Sequence, residues 1–441
     1  MKGNITRLRM KELSKYILPT VAGSICNFLY VIVDGIFVGQ GVGGIALGAV
    51  NIACPFTLLI SAIAMLTTVG GVTVAAIRIG RGDHDGANDA FMHAMCAAIV
   101  IGALMMIIGT TFSDGIAALC GANDTFIAMS SDYIFYCSMF SLPVVCSIIL
   151  GGFVRCDGSP LLASIAVISG ALANVFLDWL FVFPLNMGVA GAAIASGLGQ
   201  VAAFAILLLH FLRRRGHLRV RKFKFRAALL GKVIIRGLPE MVAQFGTPIM
   251  TICLNYALLR HMGDLEISAF AVIAYITAFA IGVFLGVSGG LQPLIGRCYG
   301  ARDAAGLHFY LRAGVVINVT CGVALYAVFV VFGRQLCGLF SSDAALIDAA
   351  TAALPAFGWA FIIMAVNLVI SSYFYSTKRT KEALVAALSR CVVLNSICIL
   401  GLPMLFGGTV VWYTLGIAEA ASLVISFLLL WRSERYGTEF I

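Results

Sequence analysis

Residues 155–200 read RCDGSPLLASIAVISGALANVFLDWLFVFPLNMGVAGAAIASGLGQ, and they contain two apolar runs separated by a short polar break. A membrane-spanning helix needs about 20 mostly apolar residues to cross roughly 30 Å of hydrocarbon. The runs at 160–183 and 188–212 both reach that length, and the chain re-enters directly after Asn186, Met187 and Gly188. This stretch therefore predicts two consecutive transmembrane helices.

The composition of the whole chain extends that interpretation. Of its 441 residues, 61% are apolar and only 11% are charged, whereas a soluble domain averages about 45 to 50% apolar and about 25% charged. Too few charges are present to cover a water-exposed surface. We therefore expect an all-α integral membrane protein, which excludes a secreted enzyme, a nucleic-acid binder and a disordered scaffold.

Long apolar runs between polar breaks predict twelve spans. They are 14–39, 46–77, 91–112, 126–153, 160–183, 188–212, 233–259, 266–296, 308–333, 348–376, 382–406 and 409–431. With both termini on one side of the membrane, only Arg260 and Arg334 of the 29 basic residues lie on the other side. Because basic loops stay cytoplasmic, we expect both termini in the cytoplasm of a bacterial-type cytoplasmic membrane.

The two halves of the chain resemble each other at a fixed spacing. Arg81-Gly82-Asp83 is mirrored by Ala301-Arg302-Asp303, 220 residues later, and VDGIFVGQGVGGIALGAV (33–50) is mirrored by 254–272. Such a repeat predicts two six-helix lobes in the same orientation, which in transporters usually enclose a central substrate cavity. The predicted parts are an N-terminal lobe (1–212), a basic cytoplasmic linker that faces lipid headgroups (213–232) and a C-terminal lobe (233–441).

Ionisable residues inside the bilayer are costly, so each one suggests a function. The acidic residues inside predicted spans include Asp34, Asp178, Glu240 and Glu419. At 1.5 Å per residue, Asp34 and Asp178 lie roughly 9 and 8 Å from the outer ends of their helices. The two carboxylates are therefore predicted at one depth, whereas the sequence assigns no role to Glu240 or Glu419.

Each of these two aspartates has a polar neighbour one helical turn away. Tyr30 precedes Asp34 and Asn174 precedes Asp178 by four residues, which places each pair on one helical face. Ser196 is expected roughly 12 Å inside the next span. Two carboxylates in a low-dielectric site resist double ionisation and titrate as a unit, which suits a proton carrier. The same oxygen ligands suit Na⁺ at Asp34, Asn174 and Asp178, and polar packing between helices is the structural alternative for Asn174 and Ser196.

The second half has amides where the first has acids, because Asn255 stands opposite Asp34 at the repeat spacing. Ion coupling is therefore expected in the N-terminal lobe. A cavity for flat lipophilic cations is a weaker prediction, based on sulfur, ring and amide groups. The candidates are Met65, Met139, Gln244, Tyr256, Tyr275, Asn367 and Tyr373. Pro19, fifteen residues before Asp34, is predicted to let the first helix bend.

These residues resemble the multidrug and toxic compound extrusion (MATE) transporters over essentially the whole chain. The resemblance rests on the 33–50 and 155–200 stretches and on FLGVSGGLQPLIGRCYGARD (284–303). It implies twelve helices in two lobes and export of organic cations against protons or sodium ions.

Carried over residue by residue, the resemblance makes Asp34 the acid of the first helix with Tyr30 one turn before it. It also makes Asn174 and Asp178 the polar pair of the fifth helix and Ser196 the small polar residue of the sixth. Pro19 matches the bending proline of the first helix. The sequence departs from the family in the C-terminal lobe, where Thr247 and Asn367 occupy the places of an acidic pair.

Three alternatives stay open at this point. An exporter of one specific metabolite fits the same residues. A flippase for lipid-linked precursors would need cationic residues in the cavity, and we expect no Lys or Arg deep in any span. An intramembrane enzyme would need a metal-ligand or nucleophile cluster, and neither His-x-x-x-His nor Asp-Asp-x-x-Asp occurs. We therefore predict no catalytic residue, no cofactor and no resident metal, a small-molecule cargo, a lipid environment, no nucleic-acid partner and a monomeric transporter.

Overall fold

The computed structural model of the protein describes residues 2–213, 216–339 and 343–436. Within those ranges every regular element is a helix. The α-helices are α1 (Lys2–Gly41), α2 (Gly44–Gly80), α3 (His84–Thr111), α4 (Ser113–Leu119), α5 (Ile127–Met139), α6 (Ser141–Cys156), α7 (Pro160–Val182), α8 (Gly188–Leu212), α9 (Ala227–Gln244), α10 (Gly246–His261), α11 (Asp264–Gly300), α12 (Ala304–Gly338), α13 (Ala344–Gly358), α14 (Ala360–Ser376), α15 (Thr380–Leu388), α16 (Asn395–Phe406) and α17 (Val411–Tyr436). A π-helical turn, Ser389–Leu394, joins α15 to α16, and a 3₁₀ turn, Gly408–Val410, precedes α17.

Ten segments in the described part of the chain are long and apolar enough to cross a membrane, and α9 with α10 forms one of them. Two further helix pairs qualify together, α5 with α6, bent by 53°, and α13 with α14, bent by 43°. If each bent pair is one span, there are twelve. These twelve coincide with the predicted apolar runs, and the all-α membrane fold is confirmed.

The helices form two compact units. One comprises Ser14–Leu238, and the other comprises Met1–Leu13 with Pro239–Ile441. We call them the first and the second unit. The predicted boundaries at 212 and 232 stay a prediction.

The internal repeat appears in matching helix caps. Asp83 caps α3 by accepting a hydrogen bond from the backbone N–H of Gly86 at 2.8 Å, and Asp303 caps α12 through Gly306 at the same distance. The N-caps of α2 and α11 are Gly43 and Gly263, with φ of 113° and 147°. This backbone region favours glycine because it has no Cβ. The residues that cap these helices therefore occur in both halves of the chain, 220 residues apart.

The bends also repeat. Phe140 lies at the break between α5 and α6, and its ring packs so tightly on Gly197 of α8 that a Cβ there would overlap it. Trp359 lies at the break between α13 and α14 and packs in the same way on Gly416 of α17. In each unit a bulky ring at the break therefore rests on a glycine of the unit's last long helix.

The first helix begins earlier than its apolar run predicts, at Lys2 rather than near residue 14. Charged side chains in its first turns form hydrogen bonds with other residues of the second unit. Arg9 donates to both carboxylate oxygens of Asp303, at 2.8 and 3.1 Å, and Tyr310 donates to Glu12 at 2.7 Å. A hydrophobicity pattern does not detect these turns because polar contacts hold them.

The predicted linker 213–232 is only partly a linker, because α9 already begins at Ala227. Residues 214 and 215 lie outside the described residues. The next part is held by buried Asp157, which accepts hydrogen bonds from the backbone N–H groups of His217 at 2.8 Å and Leu218 at 3.2 Å and lies 2.9 Å from Nε2 of His210. Its contact with lipid headgroups stays a prediction.

Candidate functional site

The predicted pair of carboxyl groups meets inside the first unit. Asp34 projects from α1 and Asp178 from α7, and the two groups lie within hydrogen-bonding reach of each other. Asp178 is fully buried and Asp34 is half-buried. A carboxylate has no donor of its own, so a hydrogen bond between two carboxyl groups requires one of them to carry a proton. The geometry therefore fits a pair that shares one proton.

Glycine explains why α7 and α8 approach closely enough to complete this site. A Cβ on Gly170 of α7 would come within 2.7 Å of the carbonyl oxygen of Gly199 on α8. A Cβ on Gly199 would come within 2.9 Å of the Cβ of Asn174. Small residues at such crossings allow two helix backbones to touch. As a result, the Asn174 amide reaches α8 and donates to Ser196 Oγ at 3.2 Å.

Several buried oxygen atoms of this site lack a donor. Oδ1 of Asp34, both carboxyl oxygens of Asp178 and Oδ1 of Asn174 are buried and have no donor at full hydrogen-bonding geometry in the described chain, although the Asn174 side chain lies within reach of Asp178. Buried polar atoms are nearly always satisfied, so each exception calls for an explanation. Carboxylate and amide oxygens are ligands for hard cations. The chemistry of these oxygens is therefore suited to a proton or a small cation.

Sequence reasoning missed one polar partner, Gln200 of α8. Its side chain lies within hydrogen-bonding reach of the Tyr30 phenol on α1. Ser196 and Gln200 are four residues apart, just as Tyr30 and Asp34 are, so the same spacing signal was present in the sequence. Three helices thus each present a polar pair one turn apart.

The surroundings of Asp34 extend to α2 and α5. Cys54 of α2 and Tyr133 and Cys137 of α5 lie close enough for the charge on Asp34 to act on them. Tyr133 is only 9% exposed. Thiol and phenol groups of α2 and α5 are therefore within electrostatic range of the carboxyl pair.

Comparison with known protein families shows which family the chain belongs to. The MatE family profile matches residues 19–180 and 239–399, one match in each half and again about 220 residues apart. The chain belongs to the MatE family. The expected family resemblance is thereby confirmed.

Individual relatives agree with this assignment. The MatE protein is 23% identical, over 425 residues, to the multidrug export protein MepA of Staphylococcus aureus, strain bovine RF122 / ET3-1, covering 95% of this chain and 94% of the relative. Its fold is similar to an outward-facing multidrug resistance MATE family transporter of the MOP superfamily, with a TM-score of 0.92, 23% identity and coverage of 97% and 96%. It is also similar to a variant of the Vibrio cholerae MATE transporter VcmN, with a TM-score of 0.92, 18% identity and 99% coverage of both chains.

The predicted cavity residues of the MatE protein are divided between the two units. Met65 and Met139 belong to the first unit, and Met139 is 47% exposed. The other five belong to the second unit, where Tyr256 and Tyr275 are half exposed. The substrate role of these residues stays a prediction.

Pro19 lies inside α1, which is continuous from Lys2 to Gly41. Proline removes one backbone hydrogen bond from a helix. Its role in bending stays a prediction. All thirteen cysteines lie in the described ranges and are free thiols.

One expectation about the second half is wrong. Sequence analysis expected no Lys or Arg deep in any span, but Arg390 lies within the transmembrane segment Thr380–Phe406. Its guanidinium lies 3.9 Å from the carboxylate of Glu419 in α17. The sequence counted Arg390 with the cytoplasmic bases because charge alone does not reveal which way a residue near a helix end faces. Within the described residues, no group of three or more His, Cys, Asp or Glu side chains is placed to hold a metal ion.

Proposed function

We propose that this MatE protein exports small organic cations across the cytoplasmic membrane in exchange for protons or sodium ions. The observation that carries the proposal is the pair of facing carboxyl groups, Asp34 and Asp178. Their buried oxygen atoms lack donors at full hydrogen-bonding geometry. The relative named MepA is a multidrug export protein, which supports a chemically broad cargo rather than a single metabolite.

The proposed exchange depends on the net charge of the Asp34–Asp178 pair. Uptake of one proton or one Na⁺ removes a negative charge from the pair and so weakens the repulsion between α1 and α7. A bound ion shifts a conformational equilibrium only by its different affinity for the two states. We propose that the state with the pair occupied favours release of the cargo, with Pro19 as the point where α1 adapts.

The direction of transport follows from the proposed orientation. With both termini in the cytoplasm, the carboxyl pair lies in the outer half of its helices, where ions enter from outside. The membrane potential contributes about 2.3 kcal/mol per charge for each 100 mV. It drives exchange whenever more positive charge enters than leaves. We further propose that one chain is sufficient for transport.

The test is efflux of a fluorescent organic cation from proteoliposomes under a pH gradient or a sodium gradient. Wild type is compared with Asp34→Asn and Asp178→Asn, and Asp132→Asn is the control because Asp132 is an exposed acid on α5. We expect wild type and the control to respond to one gradient and both site variants to lose that response. The responding gradient then identifies the coupling ion.

Two results would overturn the proposal. One is efflux that ignores both gradients, and the other is a gradient response that survives both site substitutions. A lipid-flipping assay with a fluorescent lipid-linked phosphate would then test the alternative function. The paired state of Arg390 does not favour that alternative, since its guanidinium already has Glu419 as a partner.

A further inference from the structure

Among the charged side chains in the membrane-spanning helices of the second unit, three act on one another. Glu240 lies near the end of α9, Arg390 lies in the π-helical turn and Glu419 lies in the middle of α17. Arg390 is ten residues beyond Thr380, about 15 Å along the helix axis. Neither the family assignment nor the proposed exchange mechanism uses these residues.

Glu419 is the most enclosed of the three, with 2% exposure. Asn367 of α14 donates to its carboxylate at 2.7 Å and to its backbone carbonyl at 3.0 Å. The Arg390 guanidinium lies 3.9 Å from the other carboxylate oxygen, with 15% of the arginine side chain exposed. The carboxylate thus has one neutral donor and one positive charge.

Glu240 has a similar arrangement with more neutral donors. Gln244, one turn later in α9, donates to it at 3.1 Å. The phenol of Tyr375 in α14 lies within hydrogen-bonding reach, and the charge of Arg390 also acts on Glu240. The charge of Arg390 therefore reaches two carboxylates from different helices, but among the described ion pairs it lies within 4 Å of Glu419 alone.

The backbone around Arg390 is held in place. It lies in the π-helical turn Ser389–Leu394, and such turns often occur at functional positions. On the neighbouring α10, a Cβ on Gly246 would come within 2.6 Å of the Cβ of Cys391. Close packing on that side fixes the segment that carries the arginine.

We propose that Arg390 is a tethered cation that occupies the second unit's carboxylate site, so that this site exchanges no ion and coupling is confined to Asp34 and Asp178. The second clause rests on the proposed exchange function. Arginine stays protonated in proteins and cannot leave. It therefore fulfils for Glu419 the role that a proton or Na⁺ fulfils for the first unit's pair, but permanently. Removal of the guanidinium should convert the second site into one that takes up a free monovalent cation.

The first test measures thermal unfolding of the purified full chain. Arg390→Ala leaves the two acids without their cation, so we expect a clear fall in the unfolding midpoint. Ethylguanidinium at millimolar concentration should raise that midpoint, whereas urea at the same concentration should not. Arg334→Ala is the matched control, because Arg334 forms an exposed pair with Asp348 at 3.1 Å in the same unit.

Two further variants keep this test decisive if Arg390→Ala folds poorly. Arg390→Lys retains the charge and should stay near wild type. The double variant Arg390→Ala/Glu419→Gln removes both charges and should recover most of the lost midpoint. If Glu419→Gln does not suppress the effect of Arg390→Ala and ethylguanidinium gives no rescue, the tethered-cation proposal is wrong.

The second test counts ions displaced when tetraphenylphosphonium binds to the detergent-solubilised protein. Proton release is followed with a pH dye and sodium release with a radioactive tracer. We expect release from wild type and none from Asp34→Asn/Asp178→Asn. Adding Arg390→Ala to that double variant should restore release, and further addition of Glu419→Gln should abolish it again.

The outcomes separate the two proposals. If Asp34→Asn/Asp178→Asn still releases ions and Glu419→Gln or Glu240→Gln abolishes that release, the second unit exchanges ions despite Arg390, and the tethered-cation proposal fails. If the release survives those substitutions as well, the coupling site lies elsewhere and the proposed exchange mechanism fails, while the rescue by ethylguanidinium still decides the role of Arg390.

Discussion

Two carboxylate sites lie within membrane-spanning helices of this protein, one in each unit. In the first, Asp34 and Asp178 contact each other, and no described cation is paired with them. In the second, Glu419 contacts Asn367 and lies beside Arg390. Both sites join helices that are remote in the chain, and both include a fully or almost fully buried acid.

The difference between the sites is the source of the positive charge. A buried carboxylate is tolerable only when it is neutralised or paired. In the proposed mechanism, the first site obtains its positive charge from solution and releases it again. The second site contains its cation covalently. Under the two proposals, one half of a duplicated fold holds an exchange site, and the other half holds a structural site at positions that do not correspond by the 220-residue spacing.

The largest expected effect is a difference in gradient-driven efflux between variants of the two sites. Asp178→Asn should abolish the gradient-driven component of efflux, because the pair can no longer gain and lose a cation. Glu240→Gln should keep that component. Initial rates in proteoliposomes with and without the gradient measure both. A Glu240→Gln protein that is indifferent to the gradient would show that both units take part in ion exchange.

The next effect concerns stability and has opposite signs at the two sites. Glu419→Gln leaves the Arg390 guanidinium without a charged partner at 3.9 Å, and breaking a buried pair costs about 3 to 5 kcal/mol. Asp178→Asn removes a like charge from Asp34 and should leave stability equal or higher. Chemical denaturation in detergent measures both variants. Equal losses of unfolding free energy in the two would contradict the proposed pairing.

A smaller effect is expected at the edge of the first site. Ser196→Ala removes the acceptor of the Asn174 amide. The loss of one such bond is worth about 1 kcal/mol, which weakens ion affinity about fivefold. Ser164→Ala serves as the comparison, because its hydroxyl bonds only to the carbonyl of Pro160 in its own helix. A titration of ion binding with equal affinities in the two variants would show that Ser196 does not support the site.

The smallest effect is expected at an exposed pair. Arg221 and Asp85 lie 2.6 Å apart, but the Asp85 side chain is 87% exposed. Water and salt screen such pairs. Asp85→Asn should leave the unfolding midpoint unchanged at high salt. A large midpoint shift that persists in high salt would mean that distance rather than burial determines how much an ion pair contributes to stability. The Arg390–Glu419 pair, at 3.9 Å, would then contribute little.

Much of the fold was predictable because its causes are local. Apolar run length determined the spans, and the Asp83 and Asp303 caps marked equivalent helix starts. The first helix was the main exception. Its early turns depend on the contacts of Arg9 and Glu12 with α12 residues about 300 positions away, which no hydrophobic pattern contains.

The candidate site was predictable to a similar extent. Equal depth and four-residue spacing brought Asp34, Asp178, Asn174 and Ser196 into one hypothesis, and the structure places them together. Gln200 carried the same spacing signal in the middle of α8 but was overlooked, because a neutral side chain does not stand out in an apolar run as an ionisable one does.

The sequence by itself determined the apolar runs, the 220-residue repeat and the four-residue spacing of the polar pairs, because hydrophobicity and helix periodicity act along the chain. Only the tertiary structure decided which acid faces another acid and which faces a base. That choice depends on helix rotation, on glycine contacts such as Gly170 against Gly199 and on the π-helical turn around Arg390. Side-chain electrostatics acts over a few ångströms between helices that are distant in sequence, so identical carboxylates acquire different roles only when the helices pack.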